Sequence, residues 1–382
     1  MKDIEQFRKD LFSKSLKDFS TPPHLLDHSI ANKRERYEVG RSEIPLPALV
    51  EFLFKMLLGF PAYGPAEKLR WEILFQFQNI PCAFALEKSG LHLYISCNAR
   101  RTAEETNQLK KEIVRKVQKA IRQVEKILRP FSEEQLAQNN VTIDNHSHRL
   151  KERYEYFRLK ATETAYPVDI RSQGLAGVLN NQVKNKKTLL FNSVAMLDAY
   201  FSYLEHLFVL LAPLRLDDFK IVDFIFNKKL TDKFDLLFKL KENKKAKGYH
   251  DKLLKIKEEF RNYFAHGNFE KKGASLYIHL PHIGAIPAQL SKAGNNPHFE
   301  FFPINNETFE NICIFIDDFN SWLSSSASGV ANEIQIIGSG LSMPCDKKSI
   351  LEMKEAIKTP ESLEAYLRHE SEMCDKHDNM DY

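Results

Sequence analysis

NSVAMLDAYFSYLEHLFVLL, residues 192–211, decides the fold class of the second half of this chain. It lies within 186–212, the strongest helical stretch in the sequence, and polar Asp198, Glu205 and His206 break its apolar run. Asp198 and Glu205 stand about two turns apart at 3.6 residues per turn, so they lie near one face. A helix over 150–165 precedes it and is ended by Tyr166-Pro167. Shorter helices are expected over 230–240 and from 250 to 265. Another covers 307–324, with Asn306 or Thr308 as its N-cap. An interruption rich in Gly, Pro and Asn spans 267–303, with strands expected at Ser275–Leu280 and Phe299–Phe302. Ser324–Gly340 reads as a flexible linker, and a last helix over 347–368 leads to an acidic tail.

Towards the N-terminus the pattern changes. Residues 47–60 suit a buried helix, and Arg70–Gln78, Pro81–Lys88 and Leu91–Ser96 read as three strands. The Ser89-Gly90 step closes the last two as a tight hairpin. A polar helix follows from Thr102 to Leu128, closed by Pro130. Leu109, Ile113, Val117, Ile121, Val124 and Leu128 give it one narrow stripe to bury. Asn139–Ser147, rich in Asn and His, reads as a linker. The expected fold is therefore α+β overall: an N-terminal mixed α+β domain with a small antiparallel sheet over 1–140, and a C-terminal all-α helical bundle over 150–325. Residues 326–382 would be linker and C-terminal helix.

Composition narrows the class. Hydrophobic residues make up 43% and charged residues 28% of the 382 residues, the balance of a chain that buries a real core. Lys and Arg number 55 against 51 Asp and Glu, a net charge of +4, so any basic surface must be local. The five cysteines are scattered with no CxxC pair, which indicates neither a zinc site nor a disulfide framework. Met1–Ser20 lacks the continuous apolar region of a signal peptide. Phe52–Phe60 and Leu207–Leu214 fall short of the ~20 residues that span a bilayer. A soluble cytoplasmic protein without a membrane segment is expected.

The chemistry is concentrated in KIKEEFRNYFAHG, residues 255–267. Leu253, Ile256, Phe260 and Phe264 form the buried stripe of an amphipathic helix, and Arg261, Asn262 and His266 fall off it. Asn262 and His266 share a face, whereas Arg261 and His266 diverge by about 140° on a regular helix. Gly267 marks a helix end, where the His266 ring can swing away from the regular direction. A helix C-terminus favours a protonated imidazole. Beside a permanent guanidinium, such a histidine suits phosphodiester chemistry. Arg grips the scissile phosphate and stabilises its developing charge, and His moves protons to or from the ribose 2′-hydroxyl or the leaving 5′-oxygen. No acidic cluster suggests a metal and nothing suggests a cofactor.

Arg261-Asn262-Tyr263-Phe264-Ala265-His266 resembles the HEPN (higher eukaryotes and prokaryotes nucleotide-binding) signature: an Arg, then usually a polar residue, and a His near a helix end. Asn192–Leu211 looks like another core helix of that superfamily. The resemblance covers roughly 150–325. It implies an up-and-down helical bundle that forms a homodimer and joins two motifs in one composite cleft. It also implies a metal-independent endoribonuclease acting on RNA, leaving a cyclic phosphate, in toxin–antitoxin or antiviral abortive-infection systems, with an antitoxin or regulatory protein as partner. Other members have lost catalysis, so the alternative is a non-catalytic module that binds RNA, a nucleotide or a partner. By this resemblance Arg261 and His266 are catalytic and Asn262 orients one of them. The 267–303 insertion departs from a compact bundle, so the family's substrate loop does not carry over.

The remaining signals each have a plainer explanation. Arg261 could form a surface ion pair with Glu258, and His266 could be a capping histidine. Asp198, Glu205 and His206 either support the Arg–His pair or make polar contacts within the bundle. Lys241, Lys244, Lys245 and Lys247 lie in a lysine run from Lys239 to Lys257 that could track an RNA backbone or simply cover a solvated loop. His146-Ser147-His148 reads as linker histidines rather than metal ligands, and the GxxG of Gly174–Gly177 as a turn.

Overall fold

The period-two apolar pattern of the N-terminal half builds a single antiparallel sheet. The computed structural model describes residues 2–22, 34–96, 102–165, 175–217, 219–261, 275–290, 297–298 and 304–380. α1 (Lys2–Lys14) leads into β1 (Phe19–Ser20) and β2 (Arg34–Glu38). α2 (Pro47–Glu51) continues as a π-helical stretch over Phe52–Leu57. β3 (Ala62–Tyr63), β4 (Leu69–Phe77), β5 (Ile80–Glu87) and β6 (Gly90–Ser96) follow, and then α3 (Ala103–Ala137). The strand order is β1-β4-β5-β6-β2, with β3 on β4. Trp71, Ile73, Phe75 and Phe77 point to one face of β4 and are buried with Phe19, Phe54 and Phe84. Ile113, Val117, Ile121 and Val124 of α3 complete that core, as their spacing implied. Gly90 has φ of 122°, a conformation that suits glycine in the tight turn between β5 and β6. α3 does not stop at Pro130 as expected but runs on to Ala137. Pro130 is exposed, so the helix carbonyl it deprives of a donor can turn to water.

The chain divides into two compact units, Met1–Gln135 with Arg368–Tyr382, and Leu136–Leu367. The second is mainly helical. It contains β7 (Thr142–Ile143), α4 (Ser147–Ala165), α5 (Leu175–Arg215), α6 (Leu230–Phe238) and α7 (Lys244–Ile256). A π-helical turn at Asp223–Asn227 precedes α6, and another at Lys257–Arg261 extends α7. β8 (Ser275–Leu280), β9 (Gly284–Leu290) and β10 (Pro297–His298) form a three-stranded sheet within the region expected as an insertion. Phe299–Phe302, expected as a strand, lies outside the described residues. α8 (Asn306–Leu323) is capped by the Asn305 side chain, which accepts from Thr308 N–H at 2.8 Å.

Further local expectations differ from the structure, beginning with the N-cap of α8, which is Asn305 rather than Asn306 or Thr308. Ser324–Gly340 is not an open linker: it holds a 3₁₀ turn at Ser326–Ser328 and α9 (Ala331–Gly338), and Val330, Ile336 and Ile337 are buried. The serines misled because their hydroxyls close local turns, as in Ser328 Oγ to Leu323 O at 2.8 Å. After β11 (Met343–Pro344), which pairs with β7, the last helix is split into α10 (Lys347–Ala356) and α11 (Pro360–Asn379) by Thr359-Pro360. Of the GxxG stretch read as a turn, Leu175–Gly177 begin α5, and Gly174 lies outside the described residues.

α5 is the axis of this unit. Met196, Leu197, Ala199, Tyr200, Leu204, Phe208 and Leu211 are nearly inaccessible. Asn181–Arg215 is, among the described residues, the one stretch long and apolar enough to cross a membrane. Its most apolar window is 61% buried inside the protein, against Tyr154, Phe234 and Phe319 among others.

Candidate functional site

α4 and α5 pack as an antiparallel hairpin. Tyr154 meets Tyr200 with ring centroids 5.0 Å apart, and His146 meets His206 at 5.7 Å. α7 and its π turn also run antiparallel to α5, since Arg261 lies against Asp198 while Lys257 lies over Phe201. Three of the four residues of the expected stripe hold this segment down: Leu253 is buried, and Ile256 and Phe260 pack partly buried against the same core, while Phe264 lies outside the described residues.

The helix changes winding just where the sequence motif begins. Lys257–Arg261 is π-helical, a wider turn with hydrogen bonds to the fifth residue that recurs at functional sites. Phe52–Leu57 and Asp223–Asn227 are wound the same way, so winding alone does not mark the site. What distinguishes the third case is Arg261. Arg261 Nε donates to Asp198 Oδ1 at 3.3 Å, and a terminal guanidinium nitrogen lies at 3.3 Å from the same oxygen. From α4, Arg153 approaches the other oxygen, Oδ2, at 3.5 Å. One turn before Arg261, the Lys257 ammonium lies 5.9 Å from the Phe201 ring centroid. Burial, and then the neighbouring charge of Arg261, holds the Lys257 amine below the usual lysine range, while Glu205 opposes the shift.

Among the residues singled out from sequence, Arg261 and Asp198 are therefore in contact. Asn262 and His266 lie outside the described residues. Glu205 turns to Lys233, with Oε1 3.2 Å from the ammonium. That lysine is 1% exposed and also stacks over Phe224, so Glu205 answers a buried charge. His206 faces the far end of the hairpin, where its Nε2 accepts the His146 backbone N–H at 2.9 Å. Burial, and then the charge of His146, lowers its pKa from the usual histidine value, with Asp144 acting the other way. His148, the second histidine of the 146–148 pair, has its Nε2 2.9 Å from Gly338 O.

Lys241, Lys244, Lys245 and Lys247 are all exposed, around the start of α7. Lys247 is roughly 20 Å along the helix axis from Arg261 at 1.5 Å per residue. Among the described residues none of these four lysines takes part in an ion pair.

Sequence reasoning missed Arg153. Its signal was the Arg149/Arg153 spacing on the helix before α5, because an antiparallel neighbour carries one helical face past the middle of α5. Spacing does not say which face of α4 turns that way. Compared with protein-family models, with curated proteins and with solved structures, the chain matches none.

Proposed function

We propose that this chain is a metal-independent endoribonuclease of the HEPN type, acting in the cytoplasm as a toxin or antiviral abortive-infection effector. One observation carries the reading. The arginine that opens the RNYFAH motif sits in a π-helical turn, in contact with an acidic residue of the long core helix. That placement keeps a permanent cation at the surface, 32% exposed, and orients it through Asp198.

In the proposed reaction the ribose 2′-hydroxyl attacks the adjacent phosphorus and the bond from phosphorus to the 5′-oxygen breaks. The products are a 2′,3′-cyclic phosphate and a 5′-hydroxyl. Arg261 holds the phosphate and stabilises the charge that develops on its oxygens. His266 moves a proton from the 2′-hydroxyl or to the leaving oxygen, and Asn262 orients one of the pair. A homodimer would bring two such motifs together, and an antitoxin or regulatory protein would restrain them. The N-terminal unit would sense the trigger; that step rests on analogy.

Cleavage of RNA in EDTA by wild type and by Arg261→Ala/His266→Ala, with analysis of product ends, tests the reading. Cyclic phosphate ends from wild type alone are expected. Equal cleavage by both proteins would sink it. The alternative, a non-catalytic binding module, draws on the exposed lysines of α7, and it predicts that binding responds to them while no cleavage depends on Arg261.

A further inference from the structure

Asp198 is shared by two cations that come from two different helical segments, Arg153 from α4 and Arg261 from the π turn after α7. Arg261 takes Oδ1 at 3.3 Å and Arg153 takes Oδ2 at 3.5 Å. Charge-assisted N–H···O⁻ bonds are normally about 2.7–2.9 Å, so neither contact is fully closed. The side chains of Arg153, Asp198 and Arg261 are 50%, 43% and 32% exposed. Two guanidiniums against one carboxylate leave a surplus positive charge, and the Lys257 ammonium beside Arg261 adds to it. A carboxylate bridging two guanidinium forks occupies them as two phosphate oxygens would.

We propose that Arg153 is a second phosphate-binding residue of this site, and that Asp198 is the internal counter-ion from which an RNA backbone takes Arg153 and Arg261. The choice of RNA rests on the ribonuclease reading; the two-arginine clasp rests on the geometry. Arg153 contacts the backbone next to the scissile phosphate and positions the strand. Without RNA, Asp198 keeps the two like charges together. When a phosphate enters, the loose contacts to Asp198 exchange for bidentate ones, and the counter-ions on the strand are released.

The test uses the full chain and a single-stranded RNA whose 2′-hydroxyls are methylated, so that it binds without being cut. Affinity is followed by fluorescence anisotropy from about 50 to 200 mM salt, where phosphate contacts dominate the salt dependence. Cleavage of the unmodified strand in EDTA is measured in parallel. Arg153→Ala is expected to weaken binding and to reduce the log–log salt slope by roughly 0.7, the value for one single-strand phosphate contact. Arg153→Lys keeps the charge and should recover most of the slope, which separates lost contact from lost fold. Asp198→Asn removes the competing anion and should bind more tightly than wild type.

A wild-type slope in Arg153→Ala, weaker binding by Asp198→Asn, or no binding by wild type overturns the proposal. The two ideas fail separately. Cleavage lost in Arg261→Ala with the slope unmoved in Arg153→Ala leaves the nuclease and removes the clasp. A slope that falls in Arg153→Ala, with cleavage equal in wild type and Arg261→Ala, leaves the clasp and removes the nuclease.

Discussion

Two arginine–aspartate contacts in the helical unit use the same chemistry and reach opposite results. Arg158 of α4 forks onto Asp317 of α8, with bonds of 2.5 and 2.6 Å to its two oxygens, and also donates to the Tyr154 hydroxyl at 3.0 Å. Hydrogen bonding to Asp317 holds the Arg158 guanidinium even further above the ordinary range, against the effect of burial. Arg153, little more than a turn earlier on the same helix, shares Asp198 with Arg261 at 3.3–3.5 Å. The first carboxylate is saturated by one partner, and it ties two helices beside the buried Tyr154 ring. The second is divided between two partners, while both carboxylates are open to solvent to a similar degree, Asp317 at 53% and Asp198 at 43%. A closed fork serves the fold, whereas a divided one leaves cations that an anion from solution can take.

The largest effect expected from this difference is on activity. Arg261→Ala should lower RNA cleavage in EDTA by about 100-fold to 1000-fold, the usual cost of one donor to a developing oxyanion. Arg158→Ala should leave the cleavage rate of the folded fraction within a few-fold of wild type. A single-turnover assay with product-end analysis reads both. Comparable losses in the two variants would erase the distinction between the sites.

On stability the order reverses. Arg158→Ala removes hydrogen bonds to a charged group, each worth roughly 1.5–3 kcal/mol when well protected. Asp317 is 53% exposed, so solvent screening reduces the expected cost to about 1–2 kcal/mol. Arg153→Ala loses one loose surface contact and should cost less than about 0.5 kcal/mol. Urea unfolding of the two variants at one pH measures the difference. If Arg153→Ala proved the more destabilising, Asp198 would be a structural anchor and not an exchangeable counter-ion.

What the sequence revealed here follows from what periodicity can carry. The buried stripe of α3, the core-facing side of α7 and the central place of α5 were legible because apolar spacing reports a face directly. Arg261 was legible as a residue off its own stripe. Its partner was less so: Asp198 could be placed on a face with Glu205, yet Glu205 went to Lys233 and only Asp198 met the arginine. That outcome depends on how the neighbouring helices are rotated, which no single helix encodes. The fold of Ser324–Gly340 was hidden for a different reason. Serine and glycine open a chain in isolation, but here their hydroxyl and turn bonds close short segments onto a core.

The far end of the same hairpin offers a third kind of contact, held by a lone pair rather than a charge. His206 accepts a backbone N–H through Nε2, so it must be unprotonated there. Burial, followed by the charge of His146, places its folded pKa below that of the unfolded chain, with Asp144 opposing. The stabilising contact is fully present above the unfolded value of about 6.5 and is lost as pH falls through the lower folded one. Wild type should therefore lose melting temperature on acidification by more than His206→Gln does. The gap between the two should narrow from pH 7.5 towards pH 5. A gap that widens on acidification would mean that the protonated ring is the stabilising form.

The smallest effect on chemistry is expected at cations with no acidic partner among the described residues. Lys244, Lys245 and Lys247 project from the first turns of α7, and Lys247 lies roughly 20 Å along the axis from Arg261. A strand reaching from them to Arg261 would gain affinity there without any change at the scissile phosphate. The variant Lys244→Gln/Lys245→Gln/Lys247→Gln should bind RNA more weakly across sequences and lower the salt slope by up to about 0.7 for each lysine engaged. Its cleavage rate at saturating RNA should stay at the wild-type level, because uniform binding affects the half-saturating concentration and not the chemical step. Steady-state kinetics on one labelled strand separates these quantities. If the triple variant lost turnover at saturation while Arg261→Ala kept it, the shared carboxylate would be an ordinary surface pair, and the start of α7 would be where RNA is handled.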